Sequence, residues 1–224
     1  MYAKLQQSLE RYIETPHVPE NSYAIGYEYE LMGQTASAMG FYLKCAELTD
    51  NKLLAYECLL RKAICFRKQG GRETHMKGTC HLAVALLPQR PEAYHLLSIA
   101  HELCGEWHAS YSWACAGEIL SSAATSASRL PLTTPCGYPG YYGLPFQRAV
   151  AAWWVGKFDE ARKLFDDLAE NYDLNPEYQG HVKWNRDNLS GAHQQETKKA
   201  PITDKTAIIA KIMEKRKKNA TGNA

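Results

Sequence analysis

The sequence has 224 residues, of which 45% are hydrophobic and 22% are charged, and its formal net charge is +2. This composition is ordinary for a globular protein and excludes a largely disordered chain. A chain of this length can bury the core of one domain, or of two. It contains no run of about 18 apolar residues, which excludes a transmembrane helix. Its start also lacks the apolar segment that a secretory signal needs.

The prolines and cysteines indicate the fold class and the cellular location. Only Pro88 and Pro91 interrupt the stretch from Asn21 to Leu120, and no alternation typical of strands occurs, so we predict an all-α fold. The seven cysteines are an odd number without short spacing, and six of them fall in predicted helices. Reduced cysteines in helices behave as small apolar residues, which favours a cytoplasmic location.

Four segments of the chain share one pattern of residues. Each has an amphipathic helix, a turn with glycine, a bulky residue after the turn, and small residues at fixed offsets in a second helix. The turn glycines are Gly33, Gly70 with Gly71, Gly105 and Gly156. The second segment is irregular, because its doubled glycine needs a one-residue insertion and residues 74–79 predict a weak helix.

The pattern has a physical reason. Small residues let the two helices approach closely, an aromatic side chain fills the remaining gap, and the turn glycine supplies the left-handed conformation that ends the first helix. The run Gly-Lys-Phe-Asp-Glu-Ala at residues 156–161 is the best example, and the pattern resembles the tetratricopeptide repeat family. The resemblance implies an all-α, tetratricopeptide-like α-solenoid of about four helical hairpins, followed here by a C-terminal basic helix.

A connection at residues 121–147 interrupts the repeats. The third and fourth turn glycines are 51 residues apart, against roughly 34 in a tetratricopeptide array, and the excess is rich in proline, glycine and tyrosine. A long ordered loop in a compact domain is usually functional or packed across a neighbour. With the following hairpin and a last helix carrying Trp184-Asn185-Arg186, it resembles the repeat module attached C-terminally to family 2 glycosyltransferases. We find no nucleotide-sugar domain, so this resemblance implies an accessory or acceptor-binding role.

The chain changes character after Leu189. We predict the solenoid over residues 1–189, a linker over 190–202, and a basic amphipathic helix with a disordered end over 203–224. Residues 198–224 carry eight Lys and Arg against two acidic residues, and the rest of the chain carries 18 against 22. The tail is a solvated end, a helix that caps the solenoid, or a contact for nucleic acid or an anionic membrane. Its contact residues would be Lys211, Lys215, Arg216, Lys217 and Lys218.

We expect no catalytic residue, no metal site and no cofactor. His101, Cys104 and His108 are close in sequence, but Gly105 should end the helix that carries the first two, and no Cys-x-x-Cys pair occurs. The cysteines occupy positions where small packing residues are needed, which argues against a nucleophile. Gly70-Gly71 is not followed by the Gly-Lys-Ser/Thr of a phosphate-binding loop.

The tetratricopeptide resemblance also assigns a binding surface. In that family the first helix of each hairpin lines the concave face, and the matching positions here combine aromatic and charged side chains, which suit a peptide or an extended polar ligand. The residues assigned in this way are Tyr23, Tyr27, Glu30, Arg67, Lys68, His95, Glu102 and Trp153. The alternative for Tyr27 and Trp153 is that they are core residues.

Three functions follow from these observations. The first is a non-catalytic scaffold that binds a protein or peptide partner through the concave face. The second is an accessory subunit for a separately encoded glycosyltransferase. The third is a structural role in a larger assembly, in which the chain would form an oligomer. We expect no contact with nucleic acid other than through the basic tail.

Overall fold

The structure, a computed structural model, describes the backbone of residues 2–122 and 130–196 and the side chains of residues 3–121 and 130–189. Within these ranges all regular secondary structure is α-helical. The helices are α1 (Tyr2–Glu14), α2 (Pro19–Leu31), α3 (Thr35–Leu48), α4 (Lys52–Gln69), α5 (Glu73–Leu86), α6 (Pro91–Leu103), α7 (Trp107–Ser122), α8 (Gly143–Trp154), α9 (Phe158–Asn171) and α10 (Pro176–Glu196).

The chain divides into two compact units, Met1–Val182 and Lys183–Ala224. The second unit contains the end of α10, where the Asn188 side chain donates a hydrogen bond to the Trp184 carbonyl at 2.7 Å. The four hairpins and the candidate site lie in the first unit. Over the described ranges, no helix is long and apolar enough to span a membrane.

Helices α2 to α9 form four hairpins, α2–α3, α4–α5, α6–α7 and α8–α9, whose two members pack against each other. The turn glycines predicted from the sequence adopt the left-handed conformation that glycine tolerates. Their φ angles are 75° at Gly33, 69° at Gly70, 72° at Gly105 and 85° at Gly156. Successive hairpins pack through α3 with α4, α5 with α6, and α7 with α8. The predicted all-α solenoid of four hairpins is therefore confirmed.

The second helices of the hairpins, α3, α5, α7 and α9, bury small and aromatic residues at the predicted offsets. A Cβ added at Gly117 in α7 would lie 2.6 Å from the Cβ of Tyr94 in α6, so only glycine allows the two helices to approach this closely. The buried residues of the second helices include Ala38, Tyr42, Cys45, Met76, Cys80, Ala83, Ala114, Ala161, Phe165 and Leu168.

Two helix boundaries differ from the sequence prediction. Helix α8 begins at Gly143, inside the connection predicted to run to residue 147. Pro145 lies in the first turn of this helix, where a missing N–H removes no helical hydrogen bond. Helix α10 continues to Glu196, into the segment predicted as a linker, because its polar residues are adequate helix formers. The predicted basic helix at 203–224 lies outside the described residues.

The described part of the connection between α7 and α8 is irregular, and we call residues 130–142 the strap. Gly137 and Gly140 have φ values of 77° and 101°, which glycine adopts without strain. The strap runs back to α2, α4 and α6, and it places Thr134 beside Tyr23, which is 111 positions earlier in the sequence. It therefore lies against the first helices of three hairpins.

Candidate functional site

The carboxylate of Glu57 on α4 binds the main chain of the strap. It accepts hydrogen bonds from the backbone N–H groups of Thr133, at 2.7 Å, and Thr134, at 2.8 Å, and from the Thr134 hydroxyl at 2.9 Å. The Tyr23 hydroxyl on α2 donates a fourth hydrogen bond. Glu57 is only 1% exposed, and four donors compensate a carboxylate that would otherwise be costly to bury.

The guanidinium of Arg61, one turn further along α4, binds the next part of the strap. Its Nη2 donates to the Pro135 carbonyl oxygen at 2.5 Å, and its Nε donates to the Thr134 hydroxyl at 2.9 Å. The same guanidinium lies over the Tyr27 ring, 5.1 Å from its centroid. The Glu57 carboxylate thus accepts hydrogen bonds from the N–H groups of the strap, and the Arg61 guanidinium donates one to a carbonyl. Together they recognise both kinds of polar group of a peptide main chain.

Glu30 on α2 balances the charge of Arg61. Its carboxylate lies 3.3 Å from Arg61 Nη1 and 2.8 Å from Lys68 Nζ, and it accepts a hydrogen bond from the Tyr42 hydroxyl at 2.8 Å. The Glu30 side chain is 4% exposed, whereas that of Lys68 is 47% exposed. The network therefore connects the buried charges beneath the strap to a charged group at the surface.

The local sequence of α4 places these side chains on one face. Asn51 begins the helix, because its side chain accepts hydrogen bonds from the backbone N–H groups of Leu53 and Leu54. Glu57 and Arg61 are four residues apart, so they project from adjacent turns of the same face. Leu60 and Ala63 of the same helix are fully buried in the core.

A second arginine holds the beginning of the strap. Arg90, just before α6, donates from Nη1 to the Leu130 carbonyl oxygen at 2.8 Å. Its Nη2 and Nε reach the two carboxylate oxygens of Glu92 at 2.5 Å and 3.2 Å. Tyr56 donates to the same carboxylate and accepts from the Ala93 N–H at 3.1 Å. This bidentate pair orients Arg90 toward the strap.

The end of the strap is held by ring contacts. Tyr138 packs edge-on against His95 of α6 with 5.3 Å between ring centroids. Burial, together with the Arg67 guanidinium, lowers the pKa of His95 to about 3, so the imidazole is neutral at neutral pH. Among the described residues, neither ring nitrogen of His95 has a hydrogen-bond partner, and the same is true of Gln147 Oε1.

Arg67 and Glu102 lie toward the ends of α4 and α6. Arg67 is exposed and Glu102 is partly buried. Burial raises the pKa of the Glu102 carboxyl, and the Arg67 guanidinium acts in the opposite direction. These two opposite charges influence each other and are both accessible from solvent. They form a charged rim beside the strap.

The structure brings seven of the eight residues assigned from the sequence to the first helices α2, α4 and α6. Tyr23, Glu30 and His95 are buried. Tyr27, Arg67, Lys68 and Glu102 keep some exposure. Trp153 is partly buried near the end of α8 and packs edge-on against Phe158 across the α8–α9 turn, with 4.7 Å between ring centroids.

Sequence reasoning missed three residues that bind the strap, Glu57, Arg61 and Arg90. The available signal was weak. Glu57 and Arg61 are charges four residues apart in the mostly apolar run Leu-Leu-Ala-Tyr-Glu-Cys-Leu-Leu-Arg at residues 53–61. Charges at this spacing also occur on solvated helix faces, and only the position of the strap distinguishes the two cases.

The thiols and acidic groups indicate which chemistry is available. Burial raises the pKa of the Cys65 and Cys80 thiols to about 12, and that of Cys136 to about 11, so these thiols are protonated and weak nucleophiles at neutral pH. In the described part of the chain, no group of three or more His, Cys, Asp or Glu side chains could hold a metal ion. The arrangement is suited to non-covalent binding of a polypeptide main chain.

The helices and their stacking define the chain as an all-α, tetratricopeptide-like solenoid. Among solved structures it is similar to TTC0263, a thermophilic TPR protein of Thermus thermophilus, with a TM-score of 0.53 and 14% sequence identity, over 83% of this chain and 88% of that chain. No family model and no curated protein matches the sequence. The resemblance to the repeat module of family 2 glycosyltransferases has no support from the comparisons.

Proposed function

We propose that the chain is a non-catalytic interaction scaffold that binds a peptide segment of a partner protein on its first-helix face, the surface formed by α2, α4 and α6. The observation that carries this proposal is the main-chain recognition of the strap by Glu57 and Arg61. Successive N–H groups of an extended chain point to opposite sides, so the two that converge on the Glu57 carboxylate belong to a local bend of the peptide at residues 133 and 134.

The charges of the first-helix face support the same function. Glu30 is buried with Arg61 and Lys68 against it, and buried ion pairs of this kind contribute little net stability compared with apolar residues of the same volume. Their polar groups do provide specific partners for a polypeptide ligand. The rim residues Arg67 and Glu102 add opposite charges that can select a ligand and orient it.

A pull-down with matched charge reversals tests the proposal. Arg67→Glu changes an exposed cation on the first-helix face, and Lys163→Glu makes the same change on α9, a second helix. We expect a partner identified with the wild-type chain to bind at least about tenfold more weakly to Arg67→Glu, because complementary rim charges are reversed. Lys163→Glu should bind like the wild type. Equal capture by all three proteins would contradict a site on the first-helix face.

The two other functions are distinguishable from this one by experiment. An accessory role for a glycosyltransferase requires that the purified chain bind or stimulate a glycosyltransferase encoded beside it, and the absence of both effects would exclude it. A structural role requires a symmetric oligomer in light scattering, whereas the proposed scaffold needs no self-association. The cytoplasmic location and the tail contacts expected from the sequence remain predictions.

A further inference from the structure

The strap fits its α4 anchors but leaves polar groups beneath it unsatisfied. Tyr138 covers His95 with an aromatic ring, and in the described part of the chain both ring nitrogens of His95 lack a hydrogen-bond partner. A neutral imidazole has one donor and one acceptor, and buried polar atoms without partners are unfavourable. A ligand with a hydroxyl or amide group at the position of Tyr138 would satisfy His95, which the strap does not.

The polar contacts to residues 130–135 of the strap are mostly contacts to its main chain, whereas Tyr141 and Tyr142 make their contacts through their side chains. Arg90, Glu57 and Arg61 bind the backbone groups of residues 130, 133, 134 and 135. The strap side chain that Glu57 and Arg61 contact is Thr134. Its hydroxyl donates to the Glu57 carboxylate and accepts from the Arg61 guanidinium. Any segment that adopts the same local bend and carries one hydroxyl can make these contacts.

Much of the strap lies at the surface, but Cys136 is a member of the hydrophobic core cluster that includes Tyr56 and Leu60. Cys136 is the buried residue among positions 130–138, and Leu132 and Tyr138 are partly buried beside it. The exposed positions are Leu130, Pro131, Thr133, Pro135 and Gly137. Removing the strap would therefore uncover a charged groove and a small apolar pocket, while the stacked second helices would stay packed.

We propose that the strap is an exchangeable internal ligand, which a partner displaces with an uncharged segment that adopts the same local bend and carries Ser-Pro or Thr-Pro followed by a small residue. This inference rests on the proposed function and adds the chemistry of the ligand. The residue before Ser or Thr must keep its N–H for Glu57. Proline suits the next position, since its carbonyl is what Arg61 reads. A small residue must then replace the buried Cys136.

The test uses the full chain and a fluorescent peptide with the sequence of residues 130–142. Thr133→Pro removes the N–H group that donates a hydrogen bond to Glu57. It therefore weakens the attachment of the strap without changing any residue of the groove. Thr133→Ala keeps that N–H and is the matched control. A tethered segment competes at an effective concentration of about millimolar. We therefore expect Thr133→Pro to bind the peptide at least about tenfold more tightly than the wild type, and Thr133→Ala to match the wild type.

Gly143→Ala loosens the strap from its other end, since the added Cβ would lie 2.8 Å from Pro139 and 2.9 Å from Tyr138. It should also increase peptide affinity, whereas Gly40→Ala, at an exposed position of α3, should not. A peptide with proline in place of Thr133 should lose binding to all variants. The inference is overturned if folded Thr133→Pro and Gly143→Ala chains bind the peptide no better than the wild type, or if the proline peptide binds equally well. Equal capture of the partner by Arg67→Glu and the wild type would instead contradict the proposed function.

Discussion

The first and second helices of the hairpins belong to one stack but bury different chemistry. The second helices bury mainly alanine, cysteine and aromatic side chains, which fill the space between neighbouring helices, and they bury no charged residue among those described, only the hydroxyls of Thr79 and Ser110. The first helices bury charged and polar groups at several positions on α2, α4 and α6. These buried groups are Ser22, Glu30, Glu57, Arg61, Glu92, His95 and Ser98.

The difference separates what stabilises the solenoid from what binds a ligand. Small apolar residues stabilise helix packing without needing any particular partner. Buried charges need matched partners, because they are unfavourable in an apolar surrounding. The strap supplies those partners to Glu57 and Arg61 with its backbone. Apolar residues of both sets of helices therefore account for the stack, and the buried charges of the first helices account for the recognition of the strap main chain.

The largest effect is expected from removing the central charge of the first-helix face. Glu57→Ala leaves the Tyr23 hydroxyl and two strap N–H groups without their acceptor, so the free energy of unfolding should fall by about 3 kcal/mol. Chemical denaturation measures this change. Glu47→Ala, at an exposed position on α3, is the control and should stay within about 0.5 kcal/mol of the wild type. Equal losses would mean that Glu57 has no special role.

A smaller loss is expected from enlarging the closest contact of a second helix. Gly117→Ala places a Cβ 2.6 Å from Tyr94 Cβ and 2.9 Å from Leu144. Overpacking of this kind costs about 1–3 kcal/mol, and it should lower the midpoint of thermal unfolding. Hydrogen exchange at Thr133 and Thr134 should stay slow in this variant. If the strap loosened as much as in Glu57→Ala, the two faces would not be separable.

The pH dependence of stability tests the buried imidazole. Unfolded His95 binds a proton below its ordinary pKa of 6.5, whereas the folded pKa is about 3. The unfolded chain therefore binds more protons between these values, and the free energy of unfolding falls with decreasing pH, by at most about 1.4 kcal/mol per pH unit. His95→Gln should flatten this dependence in denaturation curves, and the exposed control His75→Gln should not. If His95→Gln left the pH dependence of the free energy of unfolding unchanged, a group other than His95 would be responsible for it.

The smallest expected effect is an increase in the free energy of unfolding. Gly40 lies at an exposed position in α3, and within the described residues an added Cβ there would meet no heavy atom within 4 Å. Gly40→Ala should raise the free energy of unfolding by about 0.5–1 kcal/mol, because alanine is the better helix former. Thermal unfolding of Gly40→Ala and Gly117→Ala, measured side by side, compares the two glycine-to-alanine changes. The first should raise the midpoint and the second should lower it. A loss in both would show that α3 is more tightly packed than described.

The stack could be predicted from the sequence because its signals are local. Gly33, Gly105 and Gly156 end first helices within a few residues of the aromatic and small residues that define each hairpin. The path of the strap could not be predicted in this way. Thr133 and Thr134 contact Glu57 across 76 and 77 positions, and no repeat spacing fixes such a contact. The sequence did indicate that a Pro- and Tyr-rich connection would be either functional or packed across a neighbour.

Hydrogen–deuterium exchange at the Thr133 and Thr134 amides tests most directly whether the charges of α4 hold the strap. The account predicts that both amides exchange slowly in the wild type, and at least about tenfold faster in Glu57→Gln, which weakens their charged acceptor. Amides in the core of α5 should be unchanged. If the two strap amides of the wild type exchanged as fast as those of the free peptide of residues 130–142, the first-helix face would not bind the strap, and the account would be wrong.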